Sequence, residues 1–274
     1  MCSTPLTHAP LGQAVSYPTN YDPAHLFPIA RSINRAALKI IRPWFGADLW
    51  QAYELSWLNL KGKPLVAVGR FEFDQNSTHL VESKSLKLYL NSLNETRFES
   101  IETVRETIRR DLSQAAGMAV NVTLWHPDEA DSLAQRPLAG NCIDALDIEI
   151  SRYEPAPDLL HCVSDTELVN ETLVSHLLKS NCPVTGQPDW GSVQIQYTGR
   201  AIDRASLLRY IVSLRRHTEF HEHCVEKMFC DLMQACEPEH LTVLACYTRR
   251  GGLDINPWRS TENKAPGIPR TLRQ

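Results

Sequence analysis

The stretch Ser85-Leu86-Lys87-Leu88-Tyr89-Leu90-Asn91-Ser92-Leu93 comes back later in the chain as Ser206-Leu207-Leu208-Arg209-Tyr210-Ile211-Val212-Ser213-Leu214, matching at Ser, Leu, Tyr, Ser and Leu. Thr96-x-Phe98 then answers Thr218-x-Phe220, one residue out of step. Both copies sit at the first helix of a similar run of elements. In the first half, strands at 52–58 and 64–73 flank a hairpin loop at 59–63. Helices at about 85–93 and 101–116 follow, the second stopping at Gly117, a fitting C-cap. A strand at 120–125 closes the run. The second half gives strands at 172–179 and 192–197, helices at about 203–214 and 220–235, and a strand at 241–247. A shared motif inside a shared order predicts two copies of a β-β-α-α-β unit, in the α+β class. Domains of 1–135 and 136–274 follow. Residues 127–157, rich in Asp, Glu, Pro and Ala, read as a linker with one strand near 145–150. Residues 1–34 carry Pro5, Pro10, Pro18, Pro23 and Pro28 and read as an extended arm on the body of the protein.

A length of 274 residues suits two domains of about 130 each. The net charge of -4 disfavours a nucleic-acid ligand, which calls for a basic balance or patch. No run is long and apolar enough for a transmembrane helix, and the N-terminal residues do not read as a secretory signal. Eight cysteines without a Cys-x-x-Cys pair read as reduced thiols in a cytoplasmic protein. Cys224 and Cys230 read as small core hydrophobes.

Four stretches can carry chemistry. In Asn181-Cys182-Pro183-Val184-Thr185-Gly186-Gln187-Pro188-Asp189-Trp190, a thiol and an acid share a rigid irregular loop. The plainer reading is a surface turn beside a buried cysteine. In Glu82-Ser83-Lys84-Ser85-Leu86-Lys87-Leu88-Tyr89, an acid, hydroxyls and lysines enter a helix together, which suits an anion. The plainer reading is a helix start capped by Ser83 or Ser85. In Phe220-His221-Glu222-His223-Cys224, a carboxylate at a helix start suits the N–H edge of a nitrogen-rich heterocycle. A solvated helix start is the bland alternative. His217, His221 and Cys224 fall at i, i+4 and i+7, but no His-Glu-x-x-His is present and no metal is expected. In Tyr247-Thr248-Arg249-Arg250-Gly251-Gly252-Leu253-Asp254-Ile255-Asn256-Pro257, arginines beside glycines suit phosphate, or make a basic surface loop. No Gly-x-Gly-x-x-Gly marks a Rossmann domain. The residues alone stop at an α+β enzyme with a candidate Cys nucleophile, an acid and an anion site.

Together these stretches, with Tyr21-Asp22-Pro23 and Phe27-Pro28 in the arm, resemble the NADPH-dependent 7-cyano-7-deazaguanine reductases, the nitrile reductases of queuosine biosynthesis. The order resembles the longer form of that family, with the signature motif in the first half and the nucleophile in the second. The resemblance implies tandem tunnelling-fold domains: antiparallel sheets with paired helices on one face, assembled as a homodimer. The signature motif and the nucleophile then meet across a domain or subunit boundary. It further implies that Cys182 attacks the nitrile to give a covalent thioimide and that Asp189 protonates the nitrile nitrogen, with two NADPH consumed. Val81, Glu82, Ser83, His221 and Glu222 are expected to hold the deazaguanine. Ser83, Lys84, Arg250 and Gly251 are expected to hold the dinucleotide. The expected substrate is the free base, with no nucleic acid, membrane or metal. A zinc cyclohydrolase of the same fold and a non-catalytic purine-binding module are the alternatives.

Overall fold

The computed structural model describes residues 17–130, 133–164 and 167–274. In chain order the elements are β1 (Pro28–Ala30), α1 (Arg31–Arg35), β2 (Phe45–Leu58), β3 (Pro64–Asp74), β4 (His79–Val81), α2 (Ser83–Ser92), α3 (Ile101–Ala116) and β5 (Val120–Trp125). Then come β6 (Asn141–Cys142), β7 (Leu168–Ser175), β8 (Lys179–Asn181), β9 (Pro188–Arg200), α4 (Arg204–Ser213), α5 (His221–Cys236), β10 (His240–Tyr247) and β11 (Leu253–Ser260). The chain divides into two compact units. The first is Met1–Ala36, Leu49–Ala134 and Arg249–Asp254; the second is Ala37–Asp48, Gln135–Thr248 and Ile255–Gln274.

In the first unit the sheet order is β5-β3-β2. β3 and β5 are antiparallel, from Val68↔Trp125 to Phe73↔Val120. The loop after β2 closes because Asn59 Oδ1 accepts from the N–H groups of Lys61 and Lys63, and Gly62 takes φ 83°. α3 is bounded as its sequence requires. Ser100 Oγ accepts from Thr103 N at 3.2 Å, and Gly117 ends the helix at φ 70°. Part of the arm lies on α2: Phe27 N donates to Ser85 Oγ, and Asn91 Nδ2 donates to the Pro18 carbonyl. Arm residues 1–16 lie outside the described residues.

In the second unit the sheet order is β11-β10-β9-β7-β6, with β8 paired to β9. β10 and β7 flank β9, both antiparallel. β6 is parallel to β7. α5 is buried on most sides, with Val225, Met228, Phe229 and Leu232 each at most 1% exposed. It also carries Glu226 to a buried ion cluster. Arg259, 0% exposed, donates from Nη2 to Glu226 Oε1 at 2.7 Å and from Nη1 to Asp48 Oδ1 at 2.8 Å.

The letter repeat has a hydrogen-bond repeat beneath it. Ser85 Oγ donates to the Glu82 carbonyl and Ser206 Oγ to the Asp203 carbonyl. Ser92 Oγ donates to the Tyr89 carbonyl and Ser213 Oγ to that of Tyr210. Tyr89 OH donates to Asp111 Oδ2 at 2.7 Å, and Tyr210 OH to Asp231 Oδ2 at 2.6 Å. Asp111 and Asp231 occupy the same position along α3 and α5, since 101 to 111 and 221 to 231 are equal steps. Both helices end on a left-handed residue, Gly117 and Glu237. A buried tyrosine hydroxyl needs an acceptor, so these letters are held by chemistry rather than by propensity.

Four expectations fail. Residues 145–150 are irregular, and the linker strand is β6 instead. Ile148 packs on the core without any ladder partner, which is why its alternation looked like a strand. The run at 172–179 breaks after Ser175, where the Asp144 carboxylate takes the His176 N–H. Residues 253–257, expected within a basic loop, belong to β11, whose buried Asp254 and Asn256 and whose Pro257 break any apolar alternation. α2 is capped by Glu82, not by Ser83 or Ser85. No helix among the described residues is long and apolar enough to cross a membrane.

Candidate active site

β8 and β9 form a short hairpin with Cys182 at its bend. Asn181 pairs with Pro188 and Ser180 with Asp189. Cys182 N donates to the Gln187 carbonyl at 2.9 Å, and Gly186 N donates to the Cys182 carbonyl at 3.0 Å. Gly186 takes φ 67°, a conformation that favours glycine. Side chains alternate across a strand and paired residues share a face. Ser180, Cys182 and Asp189 therefore belong to one face, and all three are buried, at 0%, 7% and 3% exposure. Cys182 and Asp189 are diagonal neighbours on that face.

The other face is braced separately. Lys179 Nζ donates to Asn181 Oδ1 at 2.5 Å and to the Arg215 carbonyl at 2.8 Å. The Arg215 guanidinium lies 5.3 Å from the centre of the Trp190 ring. Asn181 is tied to the segment before α5 through His217 O and Glu219 N. Burial, helped by the Arg215 charge, lowers the Lys179 pKa, and the Asp189 charge opposes that shift. Burial also pushes the His217 imidazole down to about 4, so the ring is neutral near pH 7.

α5 starts beside this hairpin. His221 Nε2 lies 3.6 Å from Asp189 Oδ1, too long for a good hydrogen bond but close enough for an ion pair when the ring is protonated. The His221 ring meets Tyr247 edge-on at 4.1 Å. Tyr247 pairs with Gly191 across β10 and β9, where a Cβ on Gly191 would stand 3.2 Å from the tyrosine ring. Glycine leaves the room that this ring uses. Burial raises the Tyr247 hydroxyl well above its usual range and the Cys224 thiol to about 11, so both stay protonated near neutral pH. Glu222, the next residue of α5, is 3% exposed. The second unit thus brings Cys182, Asp189 and His221 to one place, with Glu222 at the same helix start.

The remaining predicted residues lie in the first unit. Val81 ends β4 and is buried, and Ser83 and Lys84 open α2. Glu82 is 1% exposed; its two carboxylate oxygens accept from Lys84 N at 2.9 Å and Ser85 N at 2.8 Å. Much of its capacity therefore goes to capping its own helix. Arg250 and Leu253 exchange backbone hydrogen bonds around Gly251 and Gly252, at φ 54° and 74°. Two positive φ values in a two-residue loop fit a type I′ turn. That turn lines a cleft of about 230 Å³ with Glu54, Lys87, Asn91 and Asn94. A Cβ on Gly251 would lie 3.1 Å from the Lys87 stem.

Sequence reasoning gave Gly191 and Lys179 no part in the site, nor Tyr247, which entered the candidate stretches only as the start of the arginine–glycine one. Gly191 inside a strand pattern is a legible sign of close approach. The other two offered no local signal.

A thiol, an acid and an imidazole on a rigid α+β scaffold suit covalent chemistry on a small substrate. Family models match residues 17–124, described as "Nitrile reductase, 7-cyano-7-deazaguanine-reductase N-term", and residues 188–266, described as "QueF-like protein". A relative from Bordetella avium is 58% identical over 98% of each chain. One from Chromohalobacter salexigens is 54% identical over 97% of this chain and 96% of its own. Both are named NADPH-dependent 7-cyano-7-deazaguanine reductase. A crystal structure of an archaeosine synthase QueF-like protein in the apo form aligns over 38% of this chain and 100% of its own, at 17% identity and a TM-score of 0.31. That likeness is too slight to assign a fold.

With these relatives the class is defined as an oxidoreductase. The chain belongs to the 7-cyano-7-deazaguanine reductase family of nitrile reductases.

Proposed function

We propose that this chain reduces the nitrile of 7-cyano-7-deazaguanine to the aminomethyl group with two NADPH, through a thioimide on Cys182, as a step in queuosine biosynthesis. The observation that carries the proposal is the shared buried face of Cys182 and Asp189, with His221 3.6 Å from the acid. A nitrile carbon accepts hydride poorly. Attack by the Cys182 sulfur forms a C–S bond, breaks one C–N π bond and leaves the nitrogen in need of a proton. Asp189 donates that proton to the nitrogen, and the proton given up by the Cys182 thiol restores the acid, with His221, 3.6 Å from the carboxylate, placed to relay it, so the step is neutral overall. NADPH, when bound, would supply the two hydrides; Cys182 holds the carbon as a thioimide for the first and departs as a thiol, leaving the imine for the second. Glu222 accepts N–H groups from the pyrimidine edge, anchored at the start of α5. Tyr247 fixes the His221 ring by packing against it.

For the dinucleotide we assign Ser83, Lys84, Arg250 and Gly251, together with Lys87, which lines the same cleft as Gly251. Of these, Gly251 and Lys87 line the cleft, where the glycine turn offers close backbone approach and Lys87 a cation, while Glu54 brings a carboxylate to the same wall. At about 230 Å³ the cleft admits a phosphate or ribose portion rather than a whole dinucleotide. We read residues 1–135 and 136–274 as tandem tunnelling-fold halves of a cytoplasmic homodimer acting on the free base.

NADPH oxidation followed with and without 7-cyano-7-deazaguanine tests the reading. Nitrile-dependent oxidation of two NADPH per amine is expected. Binding without oxidation would reduce the protein to a purine-binding module.

A further inference from the structure

Away from the hairpin face, three dissimilar side chains converge in the second unit. β6 runs parallel to β7, with Asn141 opposite Leu173 and Cys142 opposite Val174. Asp144 follows two residues after Cys142, and His176 is the first residue after β7. This register brings the Cys142 sulfur, a carboxylate oxygen of Asp144 and an imidazole nitrogen of His176 within 4.8 Å of one another. Neighbours hold two of them in place. Asp144 Oδ1 accepts from Ser175 Oγ at 2.6 Å and Oδ2 accepts from His176 N at 2.8 Å. Each oxygen keeps a lone pair. His176 Nδ1 sits 2.9 Å from the hydroxyl of Ser192, which is 1% exposed. Hydrogen bonds of this kind orient metal ligands and fix the imidazole tautomer. The proposed nitrile chemistry uses none of the three residues.

We propose that Cys142, Asp144 and His176 bind a borderline-soft divalent ion, Zn²⁺ above all, with water completing the coordination. One sulfur, one nitrogen and one oxygen donor suit zinc and its neighbours, whereas Mg²⁺ and Ca²⁺ take oxygen ligands. Zn–S bonds of about 2.3 Å and Zn–N or Zn–O bonds of about 2.0–2.2 Å put tetrahedral ligands roughly 3.3–3.7 Å apart. The donor atoms must close by about 1 Å. Cys142 is exposed, so its side chain is free to swing the sulfur inward, and Asp144 and His176 must approach each other by side-chain adjustment as well. Binding releases the thiol proton to solvent and changes no oxidation state. A thiolate and a carboxylate together neutralise the ion. Arg273 Nη1 donates to the His176 carbonyl at 2.7 Å, so its charge is held on the backbone side of that residue. His176 lies three residues before β8, which runs directly into Cys182. An ion here would staple the linker strand to the base of the hairpin.

The test is a Co²⁺ titration of the reduced, chelator-treated full chain. Thiolate-ligated four-coordinate Co²⁺ shows a near-ultraviolet charge-transfer band and strong visible d–d bands. We expect both, saturating near one equivalent and displaced by Zn²⁺. Cys142→Ser should abolish the charge-transfer band. His176→Ala should weaken binding about tenfold or more. Cys182→Ala should leave the spectrum intact. Zn²⁺ should also raise the melting temperature of the wild type and not that of Cys142→Ser. The proposal is overturned if millimolar Co²⁺ gives no bands. It is equally overturned if the bands survive Cys142→Ser and disappear in Cys182→Ala, which would place the ion on the hairpin thiol.

Discussion

Glu222 and Glu226 lie one helical turn apart on α5, both 3% exposed, and truncating each should do different damage. Glu226 accepts two hydrogen bonds from Arg259, from Nε at 3.1 Å and Nη2 at 2.7 Å. Glu226→Leu leaves the guanidinium, 0% exposed, with a lost partner. Removing one member of a buried, hydrogen-bonded ion pair costs about 3–5 kcal/mol. At a urea m-value of about 1–3 kcal/mol/M, the unfolding midpoint of the second unit should fall by about 1 M or more. Glu222→Leu removes the proposed anchor for the base. Ligand donors left unpaired cost about 1–3 kcal/mol. Substrate binding should therefore weaken about 5- to 150-fold. Urea unfolding followed by tryptophan fluorescence reads the first effect, and calorimetric titration with the nitrile in the absence of NADPH reads the second. The reasoning is refuted if Glu226→Leu keeps wild-type stability, or if the two variants lose substrate affinity equally.

Three further outcomes are expected. Asp189→Asn should bind substrate normally but form adduct about 10²–10⁴-fold more slowly, as loss of a general acid requires; a wild-type adduct rate in stopped flow would move Asp189 to a later step. Arg250→Ala should raise the NADPH Michaelis constant and leave that of NADH almost unchanged, whereas an equal rise for both would take Arg250 off the 2′-phosphate. His217 has a folded pKa near 4 against an ordinary 6.5, so its contribution is present above pH 6.5 and lost as pH falls toward 4. The loss should approach about 3 kcal/mol at most and flatten in His217→Gln; an unchanged pH profile of urea stability in that variant counts against it.

Much of the fold was legible because the repeat is written in polar letters. Ser85, Tyr89 and Ser92 make the same hydrogen bonds as Ser206, Tyr210 and Ser213, and their partners Asp111 and Asp231 sit at equal steps along the next helix. Such residues cannot drift without stranding a buried hydroxyl. β11 was hidden for the opposite reason. Asp254, Asn256 and Arg259 are polar yet buried, so no apolar alternation announces a strand. The carboxylates that neutralise Arg259 come from residues 48 and 226, far off in sequence. Cys182 and Asp189 stood out as letters in one loop. Their common face depends on the hairpin register, which pairs Ser180 with Asp189. Glu82 looked like part of a ligand site, and the structure shows its carboxylate also capping α2. The approach of Cys142 to His176 depends on a parallel pairing that no local spacing reveals.

The central claim is that Cys182 attacks the nitrile, and intact-protein mass measurement tests it most directly. Protein is mixed with 7-cyano-7-deazaguanine without NADPH, then digested and mapped. The account predicts an adduct equal to the full mass of the substrate, located on Cys182 and absent from Cys182→Ala, with NADPH oxidation lost in that variant. Nitrile reduction by Cys182→Ala at a comparable rate, or an adduct on another cysteine, would contradict it.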